Sequence, residues 1–490
     1  MDRGGVEHVD VIIIGAGLSG IGAACHLREK CPDKTFLILE GRAAIGGTWD
    51  LFRYPGVRSD SDMYTLGYAF KPWKEQKAIA DGPSILRYVR ETATEKGIDA
   101  RIRFDHRVTR IAWSSATATW TVEVSRGPGE EPARFSCHFI VSCTGYYDYA
   151  AGYTPDLPGI DRFRGRVVHP QFWKDDVDYQ GKRVVVIGSG ATAVTLVPEM
   201  AKKAAHVVML QRSPTYVVSM PAEDVIANWL RDHAPPSLAY GITRWKNVVL
   251  GMLFFQLARR RPAFAKKRLI ELVKKELGRD YDVEKHFTPA YNPWDQRLCL
   301  VPDSDLFASI RSGKAEVVTD HIDTFTENGI RLRSGAELPA DLVVTATGLK
   351  LQFLSGMDIE VDGRRVEPGK AMTYKAMMLC DVPNLVCTFG YTNASWTLKA
   401  DLTSEYVCRL LRHMETIGAR KATPRRADAS IDELPFIDFS SGYVQRAIPS
   451  FPKQGSKRPW RLDQNYLLDL INLRFGEVDD GTMEFDRSAR

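Results

Sequence analysis

The 490 residues contain no paired-cysteine motif. Cys25, Cys31, Cys137, Cys143, Cys299, Cys380, Cys387 and Cys408 are scattered through apolar runs without C-x-x-C or C-x-C-H spacing. No metal site is therefore expected, and the thiols read as reduced core residues of a cytoplasmic protein. An excess of one charge is lacking too. The 66 Lys and Arg set against 61 Asp and Glu leave only +5, too little to drive binding by neutralising nucleic-acid phosphates, and no nucleic-acid motif is present. No apolar run reaches the roughly 20 residues that span a bilayer. The nearest candidate, Val248 to Ala258, is followed by Arg259-Arg260-Arg261 and Lys266-Lys267-Arg268. A buried helix with a solvated basic end is the expected form, and in-plane contact with a membrane surface is the lesser alternative. The opening Met1 to Gly5 lacks the basic, apolar and small-residue pattern of a signal sequence.

What the chain does have is glycine in functional spacing. Its length calls for two or three domains. Val9 to Ile14 is a nearly continuous apolar run, as in a parallel strand buried on both faces. It is followed at once by Gly15-Ala16-Gly17-Leu18-Ser19-Gly20 and a helix, and the next strand, Thr35 to Leu39, ends in Glu40. Glycines at these positions allow a tight turn, close approach of a pyrophosphate and close helix packing, while the acid hydrogen-bonds a ribose 2′-hydroxyl. Glu40 would repel a 2′-phosphate, so this site should hold FAD or NAD. A second unit begins at Arg183 to Ile187, continues through Gly188-Ser189-Gly190-Ala191-Thr192-Ala193, and reaches a strand ending in Gln211-Arg212-Ser213. Arginine in place of the acid can fork onto a 2′-phosphate, which favours NADPH. The fold class expected is α/β, with two Rossmann-like dinucleotide-binding domains, a helical insertion and an FAD domain split in sequence.

Between the two units runs Phe163-Arg-Gly165-Arg-Val-Val-His169-Pro-Gln-Phe-Trp173, a joint in which His169-Pro170 imposes an extended exit. A second loop, Gly46-Gly47-Thr48-Trp49 through Tyr54-Pro55-Gly56 to Arg58-Ser59-Asp60, carries no cysteine pair, which excludes a dithiol relay. On residue chemistry alone Asp60 would be a turn or cap carboxylate, and Arg297, in the loop Asn292 to Pro302, a structural ion-pair partner.

These runs resemble the two signatures of the Baeyer-Villiger flavin monooxygenases, F-x-G-x-x-x-H-x-x-x-W and G-G-x-W-x-x-x-x-Y-P-G-x-x-x-D. Arg53 to Leu66, Asn292 to Pro302 and Gly390 to Asp401 look closest to the branch that includes the ethionamide-activating enzyme. Lys174 and Gln296 depart from the family pattern; a lysine that supports the 2′-phosphate often stands where Gln296 does. The resemblance implies FAD on Gly15, Gly17, Ser19, Gly20 and Glu40, with Gly47, Thr48, Trp49 and the Arg58-Ser59-Asp60 turn also at that cofactor. It further implies NADPH on Gly188 to Ala193, Arg212 and Ser213, and a catalytic pair of Arg297 and Asp60. The implied reaction uses O₂ and a C4a-peroxyflavin to convert a ketone into an ester or lactone. Oxygenation of sulfides, thioamides or amines is the alternative, and a flavin reductase or redox sensor the more distant one. The expected domains are 1–150 for FAD, 151–220 for NADPH with the 163–173 joint, 221–296 for the helical insertion, 297–348 for the rest of the NADPH domain, and 349–490 for the rest of the FAD domain with a tail over the cofactors.

Overall fold

The computed structural model describes residues 6–127 and 129–487; the first five residues, read above for a signal sequence, lie outside that range. The chain begins with β1 (Glu7–Ile14), α1 (Leu18–Lys30) and β2 (Phe36–Leu39), and Val11 to Ile14 are almost wholly buried. Short helices α2 (Thr48–Leu51) and α3 (Met63–Leu66) precede α4 (Gly82–Glu95), which starts where the Asp81 carboxylate accepts the Ser84 N–H at 2.8 Å. That cap, with Pro83 in the first turn, fixes the start of the helix.

β3 (Ile102–Arg103), β4 (Arg107–Ser114), β5 (Thr119–Ser125) and β6 (Ala133–Ser142) complete the first pass. The chain then leaves along β7 (Tyr147–Gly152) and forms β8 (Arg166–Val168), β9 (Arg183–Ile187), α5 (Ala191–Met200), β10 (His206–Gln211) and β11 (Val217–Met220). Four helices follow: α6 (Val225–His233), α7 (Pro236–Arg260), α8 (Pro262–Leu277) and α9 (Val283–Phe287). The return runs through β12 (Cys299–Pro302), α10 (Asp305–Arg311), β13 (Ala315–Thr319), the antiparallel β14 (Ile322–Thr326), β15 (Gly329–Leu332) and β16 (Glu337–Pro339), and β17 (Leu342–Thr345).

β18 (Leu349–Leu351) pairs antiparallel with β7, so the outgoing and returning crossings lie side by side. The chain then adds β19 (Asp358–Val361), β20 (Arg364–Arg365), the hairpin β21 (Thr373–Tyr374) and β22 (Met378–Leu379), β23 (Leu385–Cys387), α11 (Trp396–Ile417) and α12 (Gly442–Ala447). The first sheet has the order β20-β19-β4-β5-β6-β1-β2-β3, and the second, wholly parallel, the order β13-β10-β9-β17-β8. This is the α/β architecture with two Rossmann-like units. One edge of β6 pairs with β1 along its length, and the other edge takes two partners: Ala133–Cys137 pairs with β5, whereas Ile140–Ser142 pairs parallel with β23.

His169 joins the two crossings. Its Nε2–H donates to the Gly348 carbonyl at 3.2 Å, and its Nδ1 accepts the Gln171 N–H. A Cβ on Gly152 would lie 2.3 Å from the imidazole. Burial pushes its pKa down, which favours the neutral tautomer those two bonds require. Trp173 is half-buried against Tyr179.

One expectation is overturned. The Val248–Ala258 run is helical, but α7 is not buried: Val249, Leu250, Leu253, Phe254 and Leu257 are all exposed, Leu253 at 61 %. The helix is apolar on both faces, and only one of them packs on the fold. Among the described residues no helix is long and apolar enough to cross a membrane.

Candidate active site

Both glycine loops open onto one cavity of about 1170 Å³. α1 and α5 each begin at a glycine, Gly17 and Gly190, with no side-chain cap, so their first-turn N–H groups are free for a phosphate. Space is kept by the absence of side chains. Gly15 has φ of +102°, a Cβ on Gly20 would sit 1.8 Å from the Gly15 carbonyl oxygen, and one on Gly17 would sit 3.5 Å from the Gly47 Cα. These cradles fit the pyrophosphates of two dinucleotides.

In the first loop system, the buried Ser19 hydroxyl accepts the Trp396 Nε1–H at 2.7 Å. Glu40 accepts the Ala16 N–H at 2.6 Å and the Arg42 N–H at 2.9 Å. Burial pushes its carboxyl up against those two donors. Its oxygens keep acceptor capacity for a ribose hydroxyl. The Thr48 hydroxyl meets that of Tyr149 at 3.3 Å, and Trp49 lines the wall beside it. Arg58 and Ser59 also line the cavity, but their polar groups are engaged: Arg58 with Asp305 in an ion pair, the Ser59 hydroxyl with the Ser61 N–H at 2.9 Å. In the second system, Gly188, Ser189, Ala191 and Thr192 face the cavity, Ala193 is buried beneath them, and the Ser189 hydroxyl donates to the Ser213 carbonyl at 3.3 Å. Arg212 is exposed at the same end and, among the described residues, forms no ion pair; Arg333 lines that end too.

Asp60 and Arg297, 237 positions apart, meet at the junction. Arg297 Nε lies 2.9 Å from Asp60 Oδ2 and its Nη2 3.1 Å from Oδ1, a two-pronged pair. Asp60 holds the guanidinium's pKa above its already high ordinary value, so the cation is permanent. Aromatic rings crowd this corner. Tyr146 stacks on Trp396 at 5.2 Å between centroids, and its hydroxyl meets that of Tyr147 at 3.2 Å. Burial pushes the phenol of Tyr443 up to about 12, as it does that of Tyr54 and the thiol of Cys299. These groups stay protonated at ordinary pH and serve as hydrogen-bond donors rather than bases or nucleophiles. The arrangement sets a fixed cation in an aromatic wall, suited to stabilising negative charge on oxygen.

Sequence reading missed four contributing residues. Asp50, 4 % exposed, receives Arg42 at 2.6 Å, Arg90 at 3.1 Å and Arg53 at 3.4 Å, and so anchors the Gly46–Phe52 loop. Tyr443 and Arg446 come from α12, in the tail, where Arg446 lies 3.4 Å over the Tyr153 ring. Arg333 sits in a hairpin with no motif of its own.

Residues 8–424 match the family model described as "Flavin-binding monooxygenase-like". The chain is 52 % identical over 482 residues to the FAD-containing monooxygenase EthA of Mycolicibacterium smegmatis, covering 98 % of each. It is 53 % identical over 480 residues to the protein of that name from Mycobacterium tuberculosis, again covering 98 % of each. Among solved structures, an oxidized steroid monooxygenase bound to NADP superposes with a TM-score of 0.79 at 22 % identity, over 98 % of this chain and 100 % of that one. The polycyclic ketone monooxygenase of Thermothelomyces thermophila gives 0.74 at 19 % identity, over 100 % of this chain and 91 % of that one. At these identities the two structures speak for the fold, while the sequence matches, running nearly end to end, place the chain in the flavin-binding monooxygenase-like family.

Proposed function

We propose that this chain is an FAD-dependent, NADPH-consuming monooxygenase of the Baeyer-Villiger type. Ketone, O₂, NADPH and a proton give ester or lactone, water and NADP⁺. Relatives more than half identical are named as FAD-containing monooxygenases, which supports the flavin. The observation that carries the reaction type is the forked Asp60–Arg297 pair where the two glycine-loop systems meet.

FAD would rest on Gly15, Gly17, Ser19, Gly20 and Glu40, with Gly47, Thr48 and Trp49 over it and Arg58 and Ser59 bracing the Asp60 turn. NADPH would rest on Gly188 to Ala193, with Arg212 and Ser213 at its 2′-phosphate. The bound cofactors supply the electrons and the activation of O₂. Arg297 places its charge where an oxygen becomes negative, and Asp60 holds the guanidinium in a single orientation. The tyrosines donate hydrogen bonds and, with Trp396, exclude water. The free cysteines suit a reducing cytoplasm.

Purified protein given a linear methyl ketone and, in parallel, an aryl methyl sulfide tests this. Ester counted against NADPH consumed should approach one to one. Hydrogen peroxide accounting for all the NADPH would sink the reading, and sulfoxide without ester would move it to sulfur.

Arg212 decides the nicotinamide cofactor. Losing a forked, charge-assisted contact of about 1.5–3 kcal/mol raises KM for NADPH by about 10- to 100-fold in Arg212→Ala, leaving KM for NADH nearly unchanged. An equal loss with both cofactors would place the 2′-phosphate elsewhere.

A further inference from the structure

The helical layer carries an apolar surface that neither the fold nor the reaction uses. One side of α7 packs inward, where Val248 clusters with Tyr391 and Leu398 and is backed by Met252 and Ala394. On the other side Ile242, Val249 and Leu253 are exposed at helical spacing, Trp245 is exposed at the edge of the strip where its ring meets Tyr466 at 5.8 Å, and the adjoining α6 and α8 expose Trp229 and Phe264. A helix apolar on both sides is ordinarily enclosed. Enclosing the outer side here takes a partner with an apolar interior.

Charge says which partner. Between His233 and Ile270 there is no Asp or Glu, and eight Lys and Arg are present. Arg244 is buried; Lys246, Arg259 and Arg268 pair with Asp224, Asp295 and Glu271; Lys266 donates to the Pro289 carbonyl. Arg260, Arg261 and Lys267 remain exposed and, among the described residues, form no ion pair. They lie at the C-terminal end of α7 and the first turns of α8, so unpaired cations border the apolar strip. An apolar interior beneath an anionic surface is the chemistry of a bilayer containing acidic phospholipid. A second copy of this chain would instead bring the same cations.

We infer that the α6–α8 face docks in the plane of an anionic phospholipid membrane. α7, 25 residues and about 37 Å long, would lie with its outer side sunk about 5–10 Å into the headgroup boundary. Trp229 and Trp245 would sit at the depth that indole rings favour. Tyr391 and Ala394, under the inner side of α7, line the cavity, so membrane and cavity are separated by little more than one helix.

The test needs no turnover and is independent of the proposed reaction. The full chain with its flavin is sedimented with vesicles of phosphatidylcholine alone, or of phosphatidylcholine mixed with phosphatidylglycerol. Binding to the mixed vesicles is expected, at least about 10-fold stronger than to phosphatidylcholine, and weakened at about 1 M salt, where the Debye length falls to about 3 Å. Trp245→Asp with Leu253→Asp should abolish binding, and Arg260→Glu with Arg261→Glu and Lys267→Glu should remove the preference for phosphatidylglycerol. Thermal melting of the flavin-loaded variants checks that both sets fold; these are exposed positions outside the cofactor cavity. Wild-type protein that stays in the supernatant with both vesicles overturns the inference, as does binding that neither set of changes alters. Self-association on ultracentrifugation, lost in the Trp245 and Leu253 variant and unaccompanied by vesicle binding, assigns the face to a second copy instead.

Discussion

Arg297→Ala should cut ester formation by about 10²- to 10³-fold while NADPH is still consumed and hydrogen peroxide accumulates in place of product. Removing one preorganised donor at a developing oxyanion has an effect of that size. The guanidinium is held by both oxygens of Asp60 and faces the cavity, so its charge is fixed in place before an oxyanion develops. Arg297→Lys keeps the charge but not the fork and should recover only part of the rate. Product analysis against NADPH consumed, with the flavin content of each variant measured first, separates a chemical loss from a failure to bind cofactor. Ester formation within 10-fold of wild type in Arg297→Ala would remove this residue from the mechanism.

Asp401→Ala should destabilise the protein by about 3–5 kcal/mol, the usual consequence of leaving a buried charge without its partner. Asp401 is 6 % exposed in the second turn of α11, 3.7 Å from Arg244 and 3.4 Å from His26, and it also accepts the Ala69 N–H at 3.2 Å. Arg244, 8 % exposed, donates to the Tyr64 and Gly67 carbonyls at 2.7 and 2.8 Å, so it fastens α7 to α3 and the turn after it. The surface pair of Lys34 and Glu415 is a control at 0–1 kcal/mol or so. Urea titration of the flavin-loaded protein reads both. Asp401→Leu with Arg244→Met removes the two charges together and should cost less than Asp401→Ala alone, while a loss below about 1 kcal/mol in Asp401→Ala would contradict this account.

How legible the molecule was depended on whether a feature is local. Gly15, Gly17 and Gly20 could be read because the turn and the close packing they permit are written within a few residues of them, and the same holds for Gly188 and Gly190. The α/β class followed from apolar strands that feed those turns. Asp60 and Arg297 were different. Nothing local distinguishes either from a cap or a surface ion pair, and only a family resemblance named them together. Asp50, Asp401 and Tyr443 act through partners brought in by the fold, so no spacing could announce them. α7 was misjudged for a related reason: apolar residues on all sides of a helix favour enclosure, and periodicity cannot say which side the rest of the chain will cover.

The double partnership of β6 has a consequence for how the protein is born. Ile140 to Ser142 wait for Leu385 to Cys387, which the ribosome adds more than two hundred residues later, a delay of about 10–50 s at about 5–20 residues per second. Every strand of the second sheet lies within Arg166–Thr345, so that sheet can close while the first still has an unmatched edge and α1 lacks its cover from α11. Nascent chains stalled before and after residue 387 and probed by brief proteolysis would show the part made second becoming resistant first.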